Sequence, residues 1–347
     1  MDARVQKAIQ QSIALHKDPG SVPWKSDEPW AQSHYAWDAE EEAWQPASTS
    51  DSDSSSSSPS TTTTIRALAL YSWNIDFMLP FAESRMEAAL SHLSDSIAQL
   101  PSSTAAVVFL QECVPSDLAT ISRQPWVRSR FSMTDLDASA WGNGAYGTTT
   151  LVDRKLGVAA CFRVHYAQTR MERDALFVDA VVPGIFKPGQ ILRLCNTHLE
   201  SLLPDPPLRP PQMRLVSTFL RASEVSGGIA AGDFNAIQPV DRTLHSAHGL
   251  RDAYLELGGR EDSDEGYTWG QQALRPLREQ FGCSRMDKAF FCGAGLELQS
   301  FERVGADVEV RGERQRSGLL ALGFEKAWVT DHLGIKAVFN LKDAVHS

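Results

Sequence analysis

Positive charge is scarce in this chain. Across 347 residues, 33 Lys and Arg stand against 43 Asp and Glu, a formal net charge of −10 at neutral pH. A protein that coats long duplexes gains its affinity by releasing counterions with a broad basic face, so that class is excluded. Cysteine is also sparse: Cys113, Cys161, Cys195, Cys283 and Cys292 form no C-x-x-C pair. That argues against a disulfide framework and for reduced thiols in an intracellular protein. No stretch approaches the roughly 20 apolar residues of a transmembrane helix, so no membrane partner is expected. The first residues, MDARVQKAIQQSIALHK, carry no apolar core of a secretory signal.

The charge is unevenly spread. Residues 1–64 hold ten acids and four bases, a net of −6, which leaves −4 for the remainder. Within that stretch, residues 47–64 read ASTSDSDSSSSSPSTTTT, a Ser/Thr run that buries nothing and is expected to be a disordered linker. It separates an N-terminal arm, 1–46, from a main body, 65–347. The arm has a short amphipathic turn set (Val5, Ile9, Ile13) and an aromatic stretch with Trp24, Trp30, Tyr35, Trp37 and Trp44. Large aromatics usually bury area, so the arm is expected to dock on the main body, with a protein-partner motif as the alternative.

From Ile65 onward, short apolar runs alternate with helical spacing. Strands are expected at 65–73, 105–112, 146–152, 157–165, 175–182, 190–197, 227–232, 286–292 and 334–340. Met86, Leu90, Leu93, Ile97 and Leu100 recur at helical intervals, and a second helix is expected from Gln212 to Ala222. Helices between the early strands and hairpin-like pairs in the middle predict a mixed α/β fold.

Several strands end in residues unsuited to a core: Trp73-Asn74, Gln111-Glu112, Asn196-Thr197-His198, Gly232-Asp233-Phe234-Asn235 and Thr330-Asp331-His332. One polar residue after a strand is usually a turn former or a helix cap. A series of five is more than turns require, because catalytic side chains of open α/β sheets converge at strand ends. Carboxylates and carboxamides are hard oxygen ligands suited to Mg²⁺, whereas zinc would want several His or Cys at short spacing. No G-x-x-x-x-G-K-[ST] is present. Gly142 to Gly147 matches G-x-G-x-x-G, but TTTLVD follows it, and that reads as strand rather than the helix a dinucleotide site needs. The remaining chemistry is metal-assisted hydrolysis of a phosphate ester.

The ordered series SWNIDF, LQE, NTHLES, GDFN, SRMDKAFF and TDHLGI resembles the endonuclease/exonuclease/phosphatase superfamily over nearly all of 65–347. Asn74-Ile75-Asp76, His198-Leu199-Glu200-Ser201 and Tyr267-Thr268-Trp269 ahead of Arg285-Met286-Asp287 are most similar to its tyrosyl-DNA phosphodiesterase 2 branch. The resemblance implies two mixed β-sheets packed as a sandwich flanked by helices, a four-layer α/β/β/α fold. It implies Glu112 as principal Mg²⁺ ligand, with Asn74 and Asp331 beside the metal or its waters, and Mn²⁺ as a substitute. Asp233 would act on the attacking water, as base or as positioner, and Asn235 would hold that water or a phosphate oxygen. His332, oriented by Asp287, would stabilise the phosphate; His198 and Ser201 would hold its non-bridging oxygens. Trp269 would form an apolar wall, with Tyr146 and Arg209 as further substrate contacts.

The implied reaction releases tyrosine from a single-stranded 5′ DNA terminus and leaves a 5′-phosphate, by a monomeric, nuclear DNA-repair hydrolase. The same chemistry on RNA, abasic DNA or a phosphoinositide is the alternative, and a scaffold with a dead site is the third reading. The loop from Leu202 to Met213 departs from the family pattern through Pro204, Pro206, Pro207, Pro210 and Pro211. This departure bears on substrate shape more than on catalysis. Arg311, Arg314 and Arg316 read either as a backbone contact or as a solvated basic turn.

Overall fold

The computed structural model describes residues 10, 21–47, 64–182 and 184–342. The turn set at Val5, Ile9 and Ile13 and nearly all of the Ser/Thr run lie outside the described residues. Two sheets stack face to face. The seven-stranded one runs β1 (Trp30–Ala31), β8 (Gly157–His165), β9 (Asp174–Val181), β10 (Ile191–Thr197), β11 (Val225–Asp233), β13 (Asp287–Cys292), β12 (Arg251–Asp252). The eight-stranded one runs β14 (Leu296–Val304), β15 (Gly334–Leu341), β4 (Ala67–Asn74), β5 (Thr104–Cys113), β7 (Gly147–Asp153), β6 (Phe131–Met133), β2 (Tyr35–Asp38), β3 (Ala43–Pro46).

The strand period of two sorts the side chains into layers. In β4 and β5, Leu68, Leu70, Val107 and Phe109 enter the core between the sheets. Their alternates, Tyr71, Trp73, Val108 and Leu110, pack against the helix Ala82–Ala98, whose Met86, Leu90, Leu93 and Ile97 form one buried face. On the other side, Met213, Val216 and Leu220 of the helix Arg209–Leu220 cover Cys195, Ala230 and Phe290. The architecture is therefore helix, sheet, sheet, helix, as the motif series implies. No helix among the described residues is long and apolar enough to cross a membrane.

Connectivity gathers the site. The helix Ala82–Ala98 links parallel β4 and β5, and the helix Arg209–Leu220 links parallel β10 and β11. The four strands therefore end on one side. Antiparallel β13 and β15 begin there, so Asp233 sits opposite Asp287, and Asp331-His332 lie just before β15. Gly232 lets β11 approach β10 closely: its φ is 150°, and a Cβ there would run into the Thr197 carbonyl.

Residues 21–47 belong to both sheets. β1 pairs with β8, while β2 pairs with β6 and with β3. Trp24 stacks on His165 with ring centres 3.9 Å apart, and Arg128 lies 3.9 Å over the Trp37 ring.

Candidate active site

The strand ends open into a cleft of about 880 Å³ lined by Asp76, Glu112, Ser201, Asp233, Asn235, Trp269, Asp331 and His332, among others. Asp233 is buried at its centre. Asn74 Nδ2 donates to Asp233 Oδ2 at 2.9 Å, and the Asn235 backbone N–H donates to Oδ1 at 2.8 Å. His198 Nε2 lies 3.3 Å and His332 Nε2 3.8 Å from Asp233 Oδ2. Burial works to raise the Asp233 pKa, but the two imidazoles and the Asn235 N–H pull it well below the usual carboxylate range.

The two imidazoles are held by opposite partners. His332 Nδ1 meets Asp287 Oδ2 at 2.8 Å. Burial alone would push His332 down; Asp287 and Asp233 outweigh it and hold the ring well above its ordinary value, as a cation. His198 Nδ1 instead meets Arg173 Nη1 at 2.7 Å. A guanidinium has no acceptor, so Nδ1 must accept and the ring proton sits on Nε2. That Nε2 is buried 3.3 Å from Asp233 Oδ2 without an aligned hydrogen bond. Both rings thus turn an Nε2–H toward Asp233.

Beside them lies an excess of carboxylate. Glu112 accepts the Phe77 backbone N–H at 3.0 Å, and Asp331 accepts Trp269 Nε1 at 2.7 Å. Asp76, which sequence reasoning quoted without giving it a role, is buried between them in effect: burial, then Asp331 and Glu112, push its pKa up to about 8. Burial, with Glu112 and Asp233 nearby, also raises Asp331, against the pull of His332. The backbone is strained where it delivers these groups, with φ of 56° at Asp76, 56° at Glu112 and 47° at Asn235. Such conformations persist in non-glycine residues when the surroundings impose them, and they gather at functional sites.

A hard divalent cation fits this donor set, because all its candidate ligands are oxygens and their like charge, in a buried place, is only partly offset by Arg85 and His332. Glu112 and Asp331 would hold it, with Asp76 and Asn74 alongside. Asp233, Asp287 and His332 also bring ligand atoms within 4.8 Å of one another. There, however, His332 Nδ1 is already committed to Asp287, so that trio handles charge and protons.

Other expected residues fall differently. Ser201 Oγ accepts from Arg173 Nη2 at 2.8 Å at the cleft edge. Trp269 stands half-buried in the wall. Tyr146 is buried, stacked on Phe77 at 4.0 Å and under the Arg173 guanidinium, so it supports Arg173 from behind. Arg209 is a correction: it is fully buried, bonded to Asp241, Gln238 and the carbonyls of Glu200 and Leu202, and its donors face inward to brace the loop after Ser201. Arg311 bonds Ser91 and Arg316 pairs with Glu309, away from the cleft lining. Arg173 carried no sequence signal, because its partners arrive from the segment after β10 and from the loop before β7. The Gly142–Gly147 segment is a loop leading into β7, with Gly147 against Trp141.

A helix-flanked two-sheet sandwich with an acidic and imidazole cleft at its strand ends defines a class of metal-dependent phosphoesterase folds. The model of the endonuclease/exonuclease/phosphatase family matches residues 71–332, and the chain belongs to that family. Zebrafish (D. rerio) TDP2, solved complexed with single-strand DNA product, has 20% identity, a TM-score of 0.59, and coverage of 79% of this chain and 99% of its own. Truncated C. elegans TDP2 gives 21%, 0.58, 79% and 97%. The human Nocturnin catalytic domain gives 16%, 0.52, 80% and 95%. At such identities these likenesses concern the fold alone. No curated protein sequence matches the chain.

Proposed function

We propose that the chain is a divalent-metal-dependent phosphodiester hydrolase of the tyrosyl-DNA phosphodiesterase 2 branch, releasing tyrosine from a 5′-tyrosyl DNA terminus and leaving a 5′-phosphate. The observation that carries the reading is the pair of imidazole Nε2 atoms 3.3 Å and 3.8 Å from an ionised, buried Asp233. A bound Mg²⁺ or Mn²⁺ supplies Lewis-acid stabilisation of charge on the phosphoryl oxygens. Asp233, aimed by Asn74 and by the Asn235 backbone, accepts a hydrogen bond from the attacking water and takes its proton. Asn235 holds the water, and the His198 Nε2–H and Ser201 Oγ bind non-bridging oxygens. The His332 cation opposes charge growing on phosphorus, with Asp287 keeping its ring in place. A phenolate leaves easily, with a parent pKa of about 10, so the site needs no strong acid for it.

A nuclear setting, a monomer and a role in DNA repair follow from that substrate and stand or fall with it. The division into arm, linker and catalytic body is proposed with it. The proline-rich loop after Ser201, which departs from the family pattern beside the phosphate position, favours a second reading, the same chemistry on another phosphodiester such as RNA or a phosphoinositide. Tyrosine release from a 5′-tyrosyl oligonucleotide, with Mg²⁺ and with chelator, tests the first reading. No release under any divalent metal overturns it.

A further inference from the structure

Beyond the phosphate position much of the open cleft wall is apolar. Leu202 and Leu203 follow Ser201 on the proline-rich loop and are 60% and 65% exposed; Phe281, at the end of the helix Arg275–Phe281, is 63% exposed. With Ile237 and Leu277, which are also exposed, they line the same cleft as Trp269. Scattered exposed hydrophobics mean little, but a group of them around one cleft marks a binding surface.

Charge sharpens what that surface binds. The arginines lining the cleft are Arg242 and Arg285, and no lysine lines it among the described residues. Arg285 is buried against Asp252 and Glu261. Arg242 meets Asp262 through bonds of 2.7 Å and 2.9 Å. The second pair is exposed and easily broken. Even so, Glu261 and Asp262 are cleft-lining anions, and together they cancel both arginines. A second phosphate running along the wall would meet leucine, isoleucine and two arginines already paired with carboxylates. The donors suited to an anion, His198 Nε2, Ser201 and His332 Nε2, are enough for one.

We infer that this cleft selects a substrate with a single phosphate beside an apolar or aromatic group, and takes no grip on further phosphates of a strand. The inference rests on the phosphate site of the proposed function and narrows its substrate class. The end nucleotide and its aryl ester are then the whole recognised unit.

Calorimetry tests this without turnover, by comparing thymidine 5′-monophosphate with a 5′-phosphorylated single-stranded decamer in Mg²⁺ across a salt series. The expected result is equal affinity within about threefold and a log–log salt slope no steeper than about −1, the signature of one neutralised phosphate. A decamer that binds tenfold tighter with a slope of about −3, or failure of the mononucleotide to bind, overturns the inference. Leu203→Arg and Ile237→Arg lie outside the catalytic groups. Each replaces part of the apolar surface with a cation and is expected to raise decamer affinity severalfold relative to the mononucleotide and to steepen the decamer's salt slope; equal effects on both ligands count against the inference. Absence of hydrolysis with equal binding of the two ligands would reject the proposed function and leave the apolar one-phosphate cleft standing.

Discussion

Two buried charge clusters in this molecule are built on opposite rules. At the flank, where the arm joins the sheets, Arg163 is fully buried and every donor is used: Gln32, Thr148, Asp174 and Asp135 accept at 2.8 to 3.2 Å. At the strand ends, Asp76, Glu112, Asp233, Asp287 and Asp331 crowd near His332, and the buried His198 Nε2 and Asp287 Oδ1 have no hydrogen-bond partner. A closed cluster stabilises a fold, since each desolvated charge is compensated. An open one holds repulsion and unused donors, and a ligand removes both.

The comparison breaks first at Asp233. Asp233→Asn keeps the shape and removes the carboxylate, and is expected to lower phosphodiester turnover by about 10³-fold, or ~4 kcal/mol of barrier. Its thermal midpoint should fall modestly, because the imidazoles that hold Asp233 ionised lose their counter-charge. A turnover assay beside a melting curve checks both, and a variant that is inactive because it is unfolded would contradict the assignment. Arg163→Met is the mirror experiment. It leaves Asp135 and Asp174 buried without their cation, and should lose about 3–5 kcal/mol in denaturant unfolding. The fraction that stays folded should turn over substrate normally.

Metal sharpens the same contrast at smaller magnitude. Mg²⁺ at about 100 times its dissociation constant should stabilise the fold by ~2.7 kcal/mol, since it binds the native state alone. Glu112→Gln should abolish that increment in a thermal shift, whereas Arg163→Met should retain it. If both variants keep the shift, the metal sits elsewhere.

The sequence was most legible where partners are local. β4 and β5 are buried on both faces, so they read as continuous apolar runs. The helix Ala82–Ala98 showed in the spacing of Met86, Leu90, Leu93 and Ile97. Asn74, Glu112, His198 and Asp233 stood out because each comes at the end of such a run, and His332 because a strand begins just after it. β14 did not, because it alternates at a half-exposed edge, and residues 296–304 carry five polar side chains against four apolar ones. Arg173, Arg209 and Asp76 have their meaning in partners far along the chain. Arg209 becomes structural only because Asp241 and Gln238 fold back onto it. The arm's pairing with β8 and β6 is equally non-local.

The gentlest test concerns the flank again, through His165 at the end of β8. The ring is buried under Trp24, and neither of its nitrogens has a hydrogen-bond partner. Burial, and then the Arg163 charge, lower its pKa from 6.5 to about 2. Asp174 lies 3.9 Å away and would oppose this, but its carboxylate is already bound by Arg163 at 2.9 Å. Above pH 6.5 both folded and unfolded states carry a neutral ring, and pH has no lever. Below it the unfolded chain takes a proton that the folded one refuses, so stability falls as pH falls, by at most ~1.4 kcal/mol per unit. His165→Phe keeps the stack and removes the proton, so unfolding free energies of the two proteins should run parallel above pH 6.5 and diverge between pH 6.5 and 5. Curves that stay parallel throughout would mean the ring charges in place, and that the flank is less closed than its hydrogen bonds make it.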